Sequence, residues 1–202
     1  MSLLSPEPAT ARAQVLVIGV GNPDRGDDAI GPLLLDRLRG ALSREVSVGQ
    51  VELLDAYQLQ PEHALDLRGR RRSIVVDAAA TGPAPFTHVP VVPDTGAAIT
   101  THSLSPGALA AVHQRLFGVA PVLTALAVRG EDFGLGVPLS TAGAQHLEAA
   151  LAWLESQLRM TRAGETLAAA HRPCSARLRT KRLLICDGLT IAAKRDYDTR
   201  PR

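Results

Sequence analysis

Five short apolar runs alternate with segments of helical spacing, and this alternation limits the folds open to the chain. The runs lie in "QVLVIGV" (14–20), "SVGQVELLDA" (47–56), "RRRSIVVDAAATG" (70–82), "FTHVPVV" (86–92) and "PVLTALAVRG" (121–130). Each is short enough for a strand and bounded by Gly, Pro or charge. Between them, Ile30, Leu33, Leu34 and Leu38 recur at helical spacing over about 29–42. "QLQPEHALDLRG" reads as a short helix entered at Pro61. A further helix follows Ser105, with Pro106 at its first position, and a last one runs over 140–160 from a cap at Ser140 or Thr141. Ser or Thr before a helix accepts a hydrogen bond from an amide of its first turn, and Pro suits the first position. Pro90 places the fourth strand at an edge, because Pro cannot donate to a ladder. The expected fold is a single α/β domain, a twisted, mostly parallel five-stranded sheet with helices on both faces. In such sheets, ligands bind in the crevice outside the C-terminal ends of the strands.

Charge and composition divide the chain. Residues 1–160 carry 12 Lys+Arg against 16 Asp+Glu, whereas 161–202 carry 10 against 4. Both lysines and both cysteines, Cys174 and Cys186, fall in that second part. We therefore expect a lead-in over 1–13, a domain over 14–160, and a basic tail over 161–202 that the chemistry does not need. A domain without cysteine needs no disulfide, which suits the cytoplasm. No apolar stretch nears the roughly 20 residues that span a bilayer, and 1–14 lacks a basic segment followed by an apolar core, so no membrane association is expected. Aromatic residues make up 3% of the chain, too few for base stacking, so nucleic acid is not an expected partner.

The chemistry concentrates in "GVGNPDRGDDAIG", Gly19 to Gly31. A strand, a glycine turn and a helix suggest a dinucleotide site, but Asp24 stands where the third glycine of that fingerprint belongs. Asp27 and Asp28 at the helix start would repel a pyrophosphate, and no Gly-Lys-Ser/Thr phosphate loop is present. Capping accounts for one of the two aspartates. Asp77 follows "SIVV" at a strand mouth, where a carboxylate needs a cation, a metal or hydrogen-bond donors; a turn or cap role is the simple alternative. His102 precedes a helix start near the same edge, although a lone loop histidine more often has a structural part. His63, His88, His113 and His146 have no comparable setting. Two carboxylates and an imidazole at strand ends could ligate Zn, Ni or Fe, or form an acid/base set acting on a peptide bond. No His-Glu-x-x-His helix, cysteine pair or Gly-x-Ser-x-Gly elbow accompanies them.

"VLVIGVGNPDRGDDAIG", "QLQPE", "IVVDAAATG", "THSLSPGAL" and "AVRGEDFGLGVPLS", in that order over about 14–158, resemble the hydrogenase maturation endopeptidases. The resemblance implies a peptidase that removes the C-terminal extension of a [NiFe]-hydrogenase large-subunit precursor. It implies that Asp28, Asp77 and His102 form the catalytic and metal-recognising set, Asp28 standing where some members have Glu. The nickel is implied to be cargo of the precursor, with no organic cofactor. Asn22, Asp27 and the Gly19 and Gly21 backbone are the expected substrate contacts, since Gly permits close approach. Two other readings are a non-catalytic metal checkpoint or chaperone for the precursor, and a nucleotide-binding domain. "DAYQLQPEHALDL" replaces a Gly-rich turn found in some members, and the basic tail lies outside the family pattern.

Overall fold

The computed structural model describes residues 12–96 and 104–160. Five strands form one sheet: β1 (Val15–Val20), β2 (Val51–Ala56), β3 (Arg72–Ala79), β4 (Phe86–Pro90) and β5 (Leu123–Arg129). Their order is β2-β1-β3-β5-β4. β1 pairs in parallel with β2 and β3, and β3 with β5, while β4 joins the edge antiparallel to β5. The fold class and the edge position of the Pro90 strand match the expectation.

Side-chain alternation along β1 explains why both faces must be covered. Val15 and Val17 enter an apolar cluster with Leu34, Leu35 and Leu38 of α1 (Ile30–Ala41) and Leu147, Leu151 and Leu154 of α5 (Thr141–Met160). Leu16, Ile18 and Val20 enter a second cluster on the opposite face. That cluster includes Ala64 of α3 (His63–Asp66) and Leu109 of α4 (Pro106–Phe117). Burying one Leu, Ile or Val in this way contributes roughly 1.5–3 kcal/mol.

Two glycines set how closely α1 lies on β1. A Cβ on Gly19 would stand 2.7 Å from both the Gly31 carbonyl oxygen and Leu35 Cδ1, and one on Gly31 would stand 2.2 Å from the Val20 oxygen. The tight helix–strand contact that a dinucleotide fingerprint gives to its third glycine is thus made here by Gly19 and Gly31.

Local boundaries differ from expectation in two places. The helix after the glycine turn ends at Ala41, as expected, but a short helix α2 (Ser43–Ser47) follows that was not expected. Residues 47–50, expected in the second strand, close that helix, with Gly49 at φ +68° and the Gln50 amide donating to the Glu45 carbonyl. Neither Asp27 nor Asp28 caps α1; both lie in a 3-10 turn, Gly26–Ala29, that feeds into it. Ser105 does cap α4, its hydroxyl accepting from the Ala108 amide at 3.1 Å, with Pro106 following.

The connections leaving the neighbouring strands β1 and β3 diverge, the first to α1 on one face and the second, through β4, to α4 on the other, and sheets of this kind bind ligands outside the C-terminal ends of two such strands. The turn after β1, the end of β3 and the loop after β5 all meet that edge.

Candidate functional site

The turn that follows β1 closes on itself. Gly21 has φ +142°, and a Cβ there would stand 1.9 Å from the Asp28 carbonyl oxygen, so the chain folds back at a distance only glycine allows. The Gly21 amide donates to the Ala56 carbonyl at 3.0 Å. The Asn22 amide donates to Asp28 Oδ2 at 2.9 Å, and Asn22 Oδ1 accepts from the Asp24 amide at 2.9 Å. The Arg25 amide donates to the Asn22 carbonyl, Gly26 to Val137, Asp27 to Asp132 and Asp28 to Arg25. Pro23 has no N–H. Every amide from residue 21 to 28 is therefore engaged inside the protein, and a phosphate would find no backbone donor in this loop. Together with Asp24, this geometry opposes the nucleotide reading.

The same accounting revises the expected substrate contacts. Gly19 lies inside the ladder, opposite Asp55 on one side and Val76 on the other. Its task is the close packing of α1. The amides of Gly21 and Asn22 hold the turn together, so neither is open to a substrate backbone. Asp27 is fully buried and cannot touch a substrate.

The two adjacent aspartates have separate fates. Asp27 Oδ2 accepts from the Glu131 amide at 2.6 Å, the Asp132 amide at 3.1 Å and Ser140 Oγ at 2.7 Å. Its Oδ1 accepts from the Ser140 amide at 2.7 Å. Burial pushes the Asp27 carboxyl up, but the bonds from Glu131, Ser140 and Asp132 outweigh it and hold the group below the ordinary carboxylate range. Asp28 remains partly exposed, and its carboxylate takes the Asn22 amide.

Asp77 is partly buried near the C-terminal end of β3. It shares a sheet face with Val75, on the side of α3 and α4, because Ile74, Val76 and Ala78 enter the other cluster. Its Oδ1 accepts from the Ala78 amide at 2.8 Å. In the ladder Val76 stands opposite Gly19, so Asp77 lies level with Val20, just before the turn that carries Asp28. The structure thus brings Asp28 and Asp77 to the same edge of neighbouring strands. His102 lies outside the described residues. Among the described residues no three His, Cys, Asp or Glu side chains are grouped closely enough to hold a metal ion.

A further segment packs on the turn, and the sequence pointed to it only as a motif. The loop over 130–140 is joined to the turn by the Gly26 amide on the Val137 carbonyl, the Gly136 amide on the Asp24 carbonyl at 2.8 Å, and Arg25 Nε on the Phe133 carbonyl at 3.3 Å. Its glycines and "ED" pair were the visible signal. A cavity of about 520 Å³ lies elsewhere, along β2, lined by residues including Arg12, Arg39, Glu52 and Arg70 and by none of the candidate site residues.

No family model and no curated relative matches the chain. Solved structures do. The hydrogenase maturating endopeptidase HybD from Escherichia coli superposes with a TM-score of 0.57 at 24% identity, over 73% of this chain and 93% of that one. The [NiFe] hydrogenase maturation protease HycI from Thermococcus kodakarensis gives 0.56 at 22%, over 74% and 95%. A solution structure of an E. coli endopeptidase gives 0.55 at 24%, over 75% and 99%. The described domain therefore has the fold seen in hydrogenase maturation proteases.

Proposed function

We propose that this chain is an endopeptidase that trims the C-terminal extension of a nickel-loaded [NiFe]-hydrogenase large-subunit precursor. The observation that carries the reading is the turn after β1. All its amides are spent internally, one of its paired acids is buried, and Asp28 is left partly exposed at the strand edge that also bears Asp77. The fold likeness to maturation proteases and the ordered motifs through 14–158 support the same reading.

Peptide hydrolysis needs a water made nucleophilic, a polarised carbonyl and a proton for the leaving amine. A carboxylate at the crevice can take the proton of the attacking water and later return it to the nitrogen. Nickel belongs to the substrate here. Asp28, Asp77 and His102 recognise that ion, so that the scissile bond is held in register beside the carboxylates. Oxygen and imidazole ligands suit it. The precursor is the partner, and no organic cofactor enters.

The test is mass spectrometry of nickel-loaded and nickel-free precursor, each incubated with the protein and with Asp28→Asn. Loss of a C-terminal peptide only from the nickel-loaded sample, and only with the unaltered protein, is the expected result. A stable complex with no change in mass would replace the protease reading with the checkpoint reading.

A further inference from the structure

The buried partner of the aspartate pair has no part in that chemistry, yet two distant segments converge on it. Its carboxylate receives the amides of Glu131, Asp132 and Ser140 and the Ser140 hydroxyl. Its own amide donates to the Asp132 carbonyl at 2.7 Å. Ser140 Oγ also accepts from the Gly143 amide at 2.9 Å, so the group that bonds Asp27 caps α5 as well. Space around the carboxylate is kept open by glycines. A Cβ on Gly143 would stand 2.5 Å from Oδ1, 2.7 Å from Cγ and 2.9 Å from Oδ2. One on Gly130 would stand 2.8 Å from Asp27 Cβ, and one on Gly26 would stand 2.5 Å from the Asp132 oxygen.

We propose that Asp27 is a positioning residue that aims Asp28 into the crevice by locking the turn after β1 to the 130–140 loop and to the start of α5. Successive residues of a 3-10 turn point about 120° apart. Fixing one carboxylate inward therefore turns its neighbour outward. Asp28 then meets the Asn22 amide, which holds it from the other side of the turn. The inference rests on reading Asp28 as a functional acid, and it assigns the "GDD", "RGED" and "LSTAG" segments to one shared device.

Asp27→Asn disturbs the lock and little else. Oδ1 faces one N–H and Oδ2 faces two, so an amide placed either way turns its NH2 toward at least one donor. Gly143→Ala reaches the same lock by crowding, and Ser140→Ala removes one of its four bonds. The experiment is amide hydrogen exchange by NMR on the full chain, with precursor trimming measured in parallel. In Asp27→Asn and Gly143→Ala we expect exchange at Asn22 to rise about tenfold, the factor that loss of roughly one hydrogen bond gives, while Val17, Ile18 and Val75 keep their protection. Ser140→Ala should fall between these variants and the unaltered protein. Trimming should slow by about tenfold or more per folded molecule. Unchanged exchange at Asn22 in all three variants overturns the proposal, as does trimming that declines only with the folded fraction. If the unaltered protein and Asp28→Asn trim alike, the reading of Asp28 fails, and Asn22 exchange still decides whether Asp27 positions its neighbour.

Discussion

Gly21→Ala should be the most disruptive single methyl in the turn. At φ +142° an L side chain is strained wherever space exists, at a cost of about 1–3 kcal/mol. Space does not exist, because the new Cβ would stand 1.9 Å from the Asp28 carbonyl oxygen, 3.1 Å from its carbon and 3.5 Å from Pro32 Cδ. The carbonyl oxygen is backbone, so relief requires the 3-10 turn to retreat by about 1 Å, which lengthens the Asn22 bond to the Asp28 carboxylate. A charge-assisted bond of that kind contributes about 1–2 kcal/mol at a partly exposed site. The expected loss is about 2–5 kcal/mol, well within the roughly 5–15 kcal/mol stability of a domain. Urea unfolding followed by circular dichroism measures it, the midpoint falling by about 1–2.5 M for a slope near 2 kcal/mol/M. Gly40→Ala is the control. Gly40 lies in α1, and a Cβ there meets nothing within 4 Å, so alanine should stabilise by about 0.5–1 kcal/mol. A Gly21→Ala midpoint within about 0.3 M of the unaltered protein would refute the claim that the turn closes on glycine.

Other outcomes follow from the same contacts. The Asp27 carboxyl titrates below its unfolded value, so its contribution is complete above about pH 4 and is lost as pH falls through the folded value; urea midpoints between pH 6 and 2 should drop more steeply for the unaltered protein than for Asp27→Asn, and parallel curves would contradict this. Ser105→Ala removes the acceptor of the Ala108 amide and should cost about 1 kcal/mol by urea unfolding; a change below about 0.3 kcal/mol would mean the cap is idle. Calorimetry with ATP, NAD and NADP should show no saturable heat, since the amides over 21–28 are already bonded; a saturating isotherm would reopen the nucleotide reading.

Legibility in the sequence tracked the range of the interaction. The strand of 15–20, the Ser105–Pro106 entry and the edge at Pro90 each follow from a few adjacent residues, and each is seen. Residues 47–50 misled because Val46, Val48 and Val51 suit a strand, whereas the turn is decided by Gly49 and by the Gln50 amide reaching Glu45. Asp77 stood out as a candidate because an acid at the mouth of a buried strand is conspicuous, and Asp28 because it follows a glycine turn. The resemblance already assigned Asp28 to the site and left Asp27 outside the catalytic set, but the bonds that separate the two were not legible. Identical neighbours are told apart only by donors at 131, 132 and 140, more than a hundred residues away.

The opening motif shows why a glycine turn after a parallel strand need not cradle a phosphate. Anion binding at such a turn requires amides that point outward with no acceptor of their own. Here seven amides, from Gly21 and from Asn22, Asp24, Arg25, Gly26, Asp27 and Asp28, are turned inward onto Ala56, Asp28, Asn22, Val137, Asp132 and Arg25. Once the amides are withdrawn, the charge of the turn is set by its side chains, three aspartates against the one cation Arg25. A crevice with that sign repels phosphate and attracts a cation or a protonated group. The two glycines that resemble a nucleotide fingerprint are explained without a ligand, Gly19 by the approach of α1 and Gly21 by the approach of Asp28. The same scaffold that elsewhere wraps a pyrophosphate can therefore present a carboxylate, and hydrogen-bond accounting across eight residues distinguishes the two uses.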